Sequence, residues 1–164
     1  AACAHLLEAP ESGAVRRSVA ELIDLGALAR GGGVEHLTPL GARLAELPLP
    51  ARVGKLLLLG AVWGPTGLGA GLTVAAALAV GASPFTLGLP GAERRQHEAR
   101  RCHRTFAEGL AVGGLGCSDI LAVLQAYGEW ERLGHEEARA FCRQRFLRHA
   151  VLQDIKETRA QLAE

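Results

Sequence analysis

Apolar positions near the start of the chain fall on a helical spacing. Val15, Val19, Leu22 and Ile23 stand at i, i+4, i+7 and i+8, the stripe of an amphipathic helix. Ser12 is placed to cap its N-terminus and Gly26 to stop it. The period then changes. Ala27 to Arg30 and Val34 to Leu37 flank three glycines, Gly31 to Gly33, which supply the positive φ angles of a tight reversal, so the segment reads as a β-hairpin. Thr38 and Pro39 follow as a capping hydroxyl and a proline at the first helical position. Leu40, Leu44 and Leu47 share one face of the resulting helix, and Pro48 and Pro50 end it.

A helix, a two-stranded wing and a second capped helix within ~35 residues is the winged-helix arrangement. Its usual first helix is missing from the pattern, so residues 1–50 read as a winged-helix lobe truncated at its N-terminus. Beyond it, Val53, Leu56 and Leu57 open a leucine-rich helix from Ala51. The glycine-rich stretch Gly64 to Gly71 reads as a loop before a small-residue helix, Leu72 to Val80, and Gly81 to Pro84 breaks the chain again. A second loop is expected near Gly88 to Gly91. Glu93 to Glu108 then forms a densely charged helix with few apolar anchors, expected on the surface. Ser118 and Asp119 start a helix with Ile120, Val123, Leu124, Tyr127 and Trp130 on one stripe, closed by Gly134. From His135, the positions Ala138, Phe141, Cys142, Phe146, Leu147, Val151, Ile155, Thr158 and Leu162 describe one long helix or two joined by a bend. The fold expected is mainly α: a partial winged helix with a small β-hairpin wing, followed by a helical bundle over residues 51–164.

Composition supports folding and narrows the chemistry. The 164 residues are 49% hydrophobic and 21% charged, with a mean hydropathy of +0.15, too apolar for a disordered chain. Aromatic residues make up 4% and methionine is absent, so leucine, alanine and valine must build the core, which favours close helix packing. A formal net charge of +1 excludes a global electrostatic footprint for polyanions, and any basic surface must be local. Of the 18 cations 16 are arginine, which suits bidentate phosphate recognition and equally suits a GC-rich genome. Cys3, Cys102, Cys117 and Cys142 form no CxxC pair and no signal peptide precedes them, which points to a reducing, intracellular compartment, nucleus or cytoplasm. The most apolar stretch, Gly69 to Val80, falls well short of the roughly 20 residues of a membrane span.

Several segments, in order, resemble the helicase-associated region of the DEAH-box RNA helicases: Leu6 to Pro10, Ala20 to Leu28, Leu37 to Leu49, and Gly54 to Ala61. The resemblance continues through Leu72 to Leu78, Ser83-Pro84-Phe85, Ser118 to Leu121 with Tyr127 and Trp130, Phe141 to Leu147, and Asp154 to Leu162. Ile120, Gln125, Gly128 and Arg145 depart from the polar residues usual in the family. The resemblance implies a winged helix and a ratchet-like helical bundle that close over two motor domains around single-stranded RNA. It implies that ATP and magnesium are held in those motor domains and not in this chain, and that a G-patch type regulator touches the winged-helix lobe. It also implies no membrane partner.

The residues themselves argue against catalysis by the chain alone. Gly64 to Gly71 lacks the Gly-Lys-Ser/Thr of a phosphate loop, and Gly67-Leu68-Gly69-Ala70-Gly71 lacks both the spacing and the βαβ setting of a dinucleotide site. Adjacent helical residues such as Cys102 and His103 diverge by about 100° and read as two unrelated side chains. No two histidines share the HxxxH spacing of a metal site. Arg94, Arg95, Arg100, Arg101 and Arg104 with His97 and His103 form the first candidate for nucleic acid. Within it, His97, Arg100, Arg101 and Arg104 share a helical face that either follows a phosphate backbone or is a solvated face balanced by Glu93 and Glu98. Arg139, Arg143, Arg145 and Arg148, with Phe141 and Phe146 as core anchors, form the second, again against a plain surface role. Ser118 and Asp119 are explained first as helix caps, and their helix N-terminus also offers amides to a phosphate. Arg30 and His36 on the wing are read as facing protein. Two alternatives stay open: a sequence-specific DNA regulator reading through Arg43 and Glu46, and a protein-docking scaffold.

Overall fold

The computed structural model describes residues 10–86, 93–109 and 118–163. They form eight helices and one two-stranded antiparallel hairpin, so the mainly helical fold with a small wing is the one observed. The chain divides into two compact units, Ala1–Leu56 and Leu57–Glu164.

The first unit holds α1 (Ser12–Asp24), β1 (Leu28–Gly31), β2 (Val34–Leu37), α2 (Pro39–Glu46) and the start of α3 (Ala51–Val62). Glu11, not Ser12, is the N-cap of α1, so the helix takes in the serine assigned to cap it. At the other end, Gly26 has φ +77°, and its N–H donates to the Ile23 carbonyl while the Ala27 N–H donates to that of Leu22. This closes α1 on itself in the crossed pattern of a Schellman turn. Gly32 and Gly33, at φ +61° and +83°, make a two-residue turn whose twist matches the strands, pairing Leu28 with Leu37 and Gly31 with Val34. Thr38 caps α2 as the sequence demands: its Oγ1 accepts from the Gly41 N–H at 3.0 Å and donates to the Gly26 carbonyl at 2.6 Å. One hydroxyl thus ties α2 to the end of α1. Arg52 on Glu21 at 2.5 Å and Lys55 Nζ on the Leu25 carbonyl at 2.7 Å hold the start of α3 to the same point.

The second unit contains the end of α3, then α4 (Gly64–Val80), α5 (Glu93–Gly109), α6 (Asp119–Glu131), α7 (His135–Gln144) and α8 (His149–Gln161). The loop expected over Gly64 to Gly71 is helix: those glycines form the first two turns of α4. A Cβ on Gly60 would stand 2.7 Å from the Gly67 carbonyl oxygen. Glycine is needed there for two helix backbones to touch, which outweighs its poor helix propensity. The loop near Gly88 to Gly91 lies outside the described residues.

Ala76, Phe106, Ala122, Ala126, Tyr127, Leu152 and Ile155 centre the core of this unit. On α6 the buried line is Ala122, Ala126, Tyr127 and Trp130, while Ile120, Val123 and Leu124 are only half-buried. The closest packing needs the alanines, so the larger aliphatics flank it. Gly134 does not close α6, which ends at Glu131. It is the N-cap of α7, and Glu137 Oε2 accepts from its N–H at 3.3 Å. The last segment is two helices. Phe146 at φ +57° turns the chain between them, where Leu147 bridges Phe85 and the Thr86 N–H donates to the Phe146 carbonyl at 2.9 Å.

Candidate nucleic-acid interface

The second unit carries every strongly cationic face singled out in the sequence. On α5, Ala99, Phe106 and Ala107 are buried and seat the helix, with Cys102 and His103 half-buried beside them. These anchors are more than the sequence suggested. The opposite face presents His97, Arg100, Arg101 and Arg104 together to solvent. Neither these arginines nor Arg94 and Arg95 have an ion-pair partner among the described residues.

The arginines of the second group divide. Arg139 and Arg143 are exposed and one turn apart on α7. Arg145 is half-buried, its guanidinium carbon 5.9 Å from the centroid of Phe106 and 6.0 Å from that of Phe141. These cation–π contacts link the end of α7 to α5. Arg148 is exposed and donates from Nη2 to the Ser83 carbonyl, while its backbone N–H donates to the Pro84 carbonyl at 2.7 Å. The Ser83 to Phe85 segment is therefore zipped to the α7–α8 bend.

Ser118 is the N-cap of α6, but its hydroxyl makes no capping bond. Capping, first choice from the sequence, accounts for its backbone position and not for its side chain. Asp119 lies in the first turn, where an acid complements the helix dipole. Its carboxylate is 87% exposed, and Oδ1 accepts from His103 Nε2 at 3.2 Å. His103 also packs edge-on against Phe85, with centroids 4.6 Å apart. The partners of the His103 imidazole lie on α6 and the Ser83 to Phe85 segment.

A second histidine cluster has no signal in the sequence spacing. Trp130 Nε1 donates to His149 Nδ1 at 3.1 Å, and the His135 ring lies 6.2 Å from that of His149. Burial, with the nearby charges of Arg139 and His135, holds His149 below the usual imidazole range. Burial pushes the Cys142 thiol up, and burial with the hydrogen bond to Glu131 pushes the Tyr127 hydroxyl up to about 12. No group of three or more His, Cys, Asp or Glu side chains among the described residues is arranged to hold a metal ion.

On the wing, Arg30 faces Glu35 at 3.8 Å and His36 is exposed. Arg43, one of two potential base readers on α2, is paired with the other, Glu46, at 3.2 Å. No helix among the described residues is long and apolar enough to cross a membrane.

Residues 18–49, which contain the end of α1, the wing and α2, match the family described as helicase associated domain (HA2), winged-helix. Over 163 residues the chain is 38% identical to DHX57 of Homo sapiens, covering 98% of this chain and 10% of that protein. It is 38% identical over 164 residues to DExH-box ATP-dependent RNA helicase DExH1 of Arabidopsis thaliana, covering 98% of this chain and 15% of that protein. With ATP-dependent DNA/RNA helicase DHX36 of Homo sapiens the identity is 33% over 163 residues, again 98% and 15%. The chain thus spans 10 to 15% of the length of these relatives.

Proposed function

We propose, from the premise that this chain belongs to the helicase-associated region of the DEAH/DExH-box RNA helicases, that it is the accessory module that holds single-stranded RNA while motor domains of the same polypeptide move it. The observation that carries this reading is the stripe His97, Arg100, Arg101 and Arg104: four groups able to meet phosphate on one solvent face, whose arginines have no ion-pair partner among the described residues although Glu98 and Glu108 lie on the same helix. In a chain of net charge +1 such a stripe is a local feature and not the average of the surface. Arg139 and Arg143 extend the cationic surface on α7, and Ser118 and Asp119 stand ready at the start of α6. Arg145, within cation–π reach of Phe106 and Phe141, acts by positioning α7 against α5. ATP and magnesium belong on this reading to the motor domains, where hydrolysis would be carried out.

The test is titration of labelled single-stranded RNA by fluorescence anisotropy at several salt concentrations. The triple variant Arg100→Glu, Arg101→Glu, Arg104→Glu should weaken binding at least tenfold. It should also flatten the salt dependence by roughly 0.7 in logarithmic slope for each phosphate that is no longer neutralised. A triple variant that binds with the parent's affinity and slope overturns the assignment of this face.

A second role is favoured for the first unit. Val34 and Leu37 on the wing are 66% and 60% exposed, and a shallow apolar cavity of about 180 Å³ lies between Leu22, Leu28, Leu37, Leu44 and Leu49. Such a surface fits a protein partner, the motor domains or a G-patch type regulator, better than a DNA major groove. The ion pair between Arg43 and Glu46 leaves α2 without an unpaired charged base reader.

A further inference from the structure

Where the end of α4 meets the start of α6, a cleft of about 260 Å³ opens to solvent. Ala77 and Leu78 line it from α4, Ile120 and Val123 from α6, and Phe85 from the segment between α4 and α5. Leu78 is 45% exposed at the mouth of this cleft. Its polar edge is formed by Ser83, His103 and Asp119. We infer that this cleft receives one unstacked nucleobase of the bound strand, with Arg148 against the adjoining phosphate and Asp119 accepting from an exocyclic amino group of the base.

The inference rests on the nucleic-acid reading above and adds a subsite to it. The cleft is smaller than pockets for drug-sized ligands, ~300–1,000 Å³, and suits a single flat ring. Two apolar helix walls match the faces of a base, and the polar edge matches its rim. The His103 bond to Oδ1 orients the Asp119 carboxylate, and Oδ2 has no partner among the described residues. An ionised carboxylate only accepts, so cytosine, adenine and guanine meet it with an exocyclic amino group whereas uracil offers only its ring N3–H, and the bases with the amino group are favoured. Arg148, fixed through the Ser83 carbonyl at this same rim, leaves its remaining N–H groups for a phosphate. Arg100 and Arg104 flank His103 in sequence on α5 and continue the positive charge beyond the cleft. An apolar side chain of a protein partner would fill the walls and leave the carboxylate edge without use.

The experiment compares short oligomers of equal length, oligo-C, oligo-A, oligo-U and an abasic ribose-phosphate chain, by anisotropy with the full chain at one salt concentration. Oligo-C and oligo-A should bind about fivefold to tenfold tighter than oligo-U, and the abasic chain should bind weakest. Asp119→Ala should remove the difference between oligo-C and oligo-U, and Ile120→Trp, which fills the cleft, should bring all three to the abasic level. Asp119 is exposed, so its variant should fold, which a melting curve confirms. If all four oligomers bind equally, the base subsite is wrong and the phosphate-tracking face stands. If none binds, both readings fail.

Discussion

Helices α4 and α5 are each 17 residues long and are built on opposite principles. No charged residue occurs in α4, and it buries Gly71, Thr73, Val74, Ala75 and Ala76, so packing surrounds its middle on several sides. It contacts α6 and α8. Five arginines and three glutamates lie on α5, which is held on α6 by one narrow line. The difference separates two uses of a helix within one unit. Small side chains let α4 serve as the axis against which neighbours pack, whereas α5 exposes most of its circumference and displays charge. A helix of the second kind depends on few anchors, so each should matter more.

Phe106→Ala tests that dependence with the largest expected effect. Phe106 is 2% exposed, packs against Phe85 and Phe141, and lies under the Arg145 guanidinium. Its removal should cost about 3 kcal/mol or more in urea unfolding. A loss under about 1 kcal/mol would mean that α5 is held by something other than its narrow apolar line. Gly60→Ala should cost about 2 kcal/mol, because the new methyl meets the Gly67 carbonyl and the backbones must separate. Alanine is the better helix former by about 1 kcal/mol, so a stabilised variant would show that α3 and α4 are not in close backbone contact.

These two helices also mark how far the sequence can be read. The bounds of α5 are legible almost to the residue, as are the wing and the Thr38–Pro39 start of α2, because charge, glycine pairs and caps act locally. The first two turns of α4 are not. Propensity alone makes those glycines a loop, and what decides their state is a backbone contact made by Gly60 with Gly67. The buried line of α6 departs from its apolar stripe for a related reason: alanine carries little hydrophobic signal, yet Ala122 and Ala126 are the positions where α6 packs most closely. Of the candidate interface, the exposed face of α5 can be read from its period. The cation–π contact of Arg145 with Phe106 and the His103 to Asp119 bond cannot, since their partners are distant in the chain.

Because α4 has no titratable side chain, any pH dependence of the helical unit must enter through the helices around it. His149 is the clearest source. Its folded pKa is lowered by burial and then by Arg139 and His135, so the folded state binds this proton less readily than the unfolded chain. The stability it contributes is full above the ordinary imidazole pKa of 6.5 and declines as pH falls below it toward the lowered value. His149 is half-exposed, so the effect should be smaller than either substitution above. Urea unfolding at pH 8 and pH 5.5 should show a larger loss for the parent than for His149→Gln, which keeps an acceptor for Trp130. Parallel losses in the two proteins would assign the pH dependence elsewhere.

The smallest effect sharpens the comparison most directly. Gly69 lies inside α4, and a Cβ there would meet only the Arg159 Nη2 atom at 3.6 Å, an ordinary contact. Gly69→Ala should therefore stabilise the chain by about 0.5 to 1 kcal/mol through helix propensity alone. Two glycine-to-alanine changes nine residues apart in sequence, at Gly60 and Gly69, should thus shift stability in opposite directions. A destabilised Gly69→Ala would mean that close packing extends along more of α4, and that this helix has no face as free as the outer face of α5.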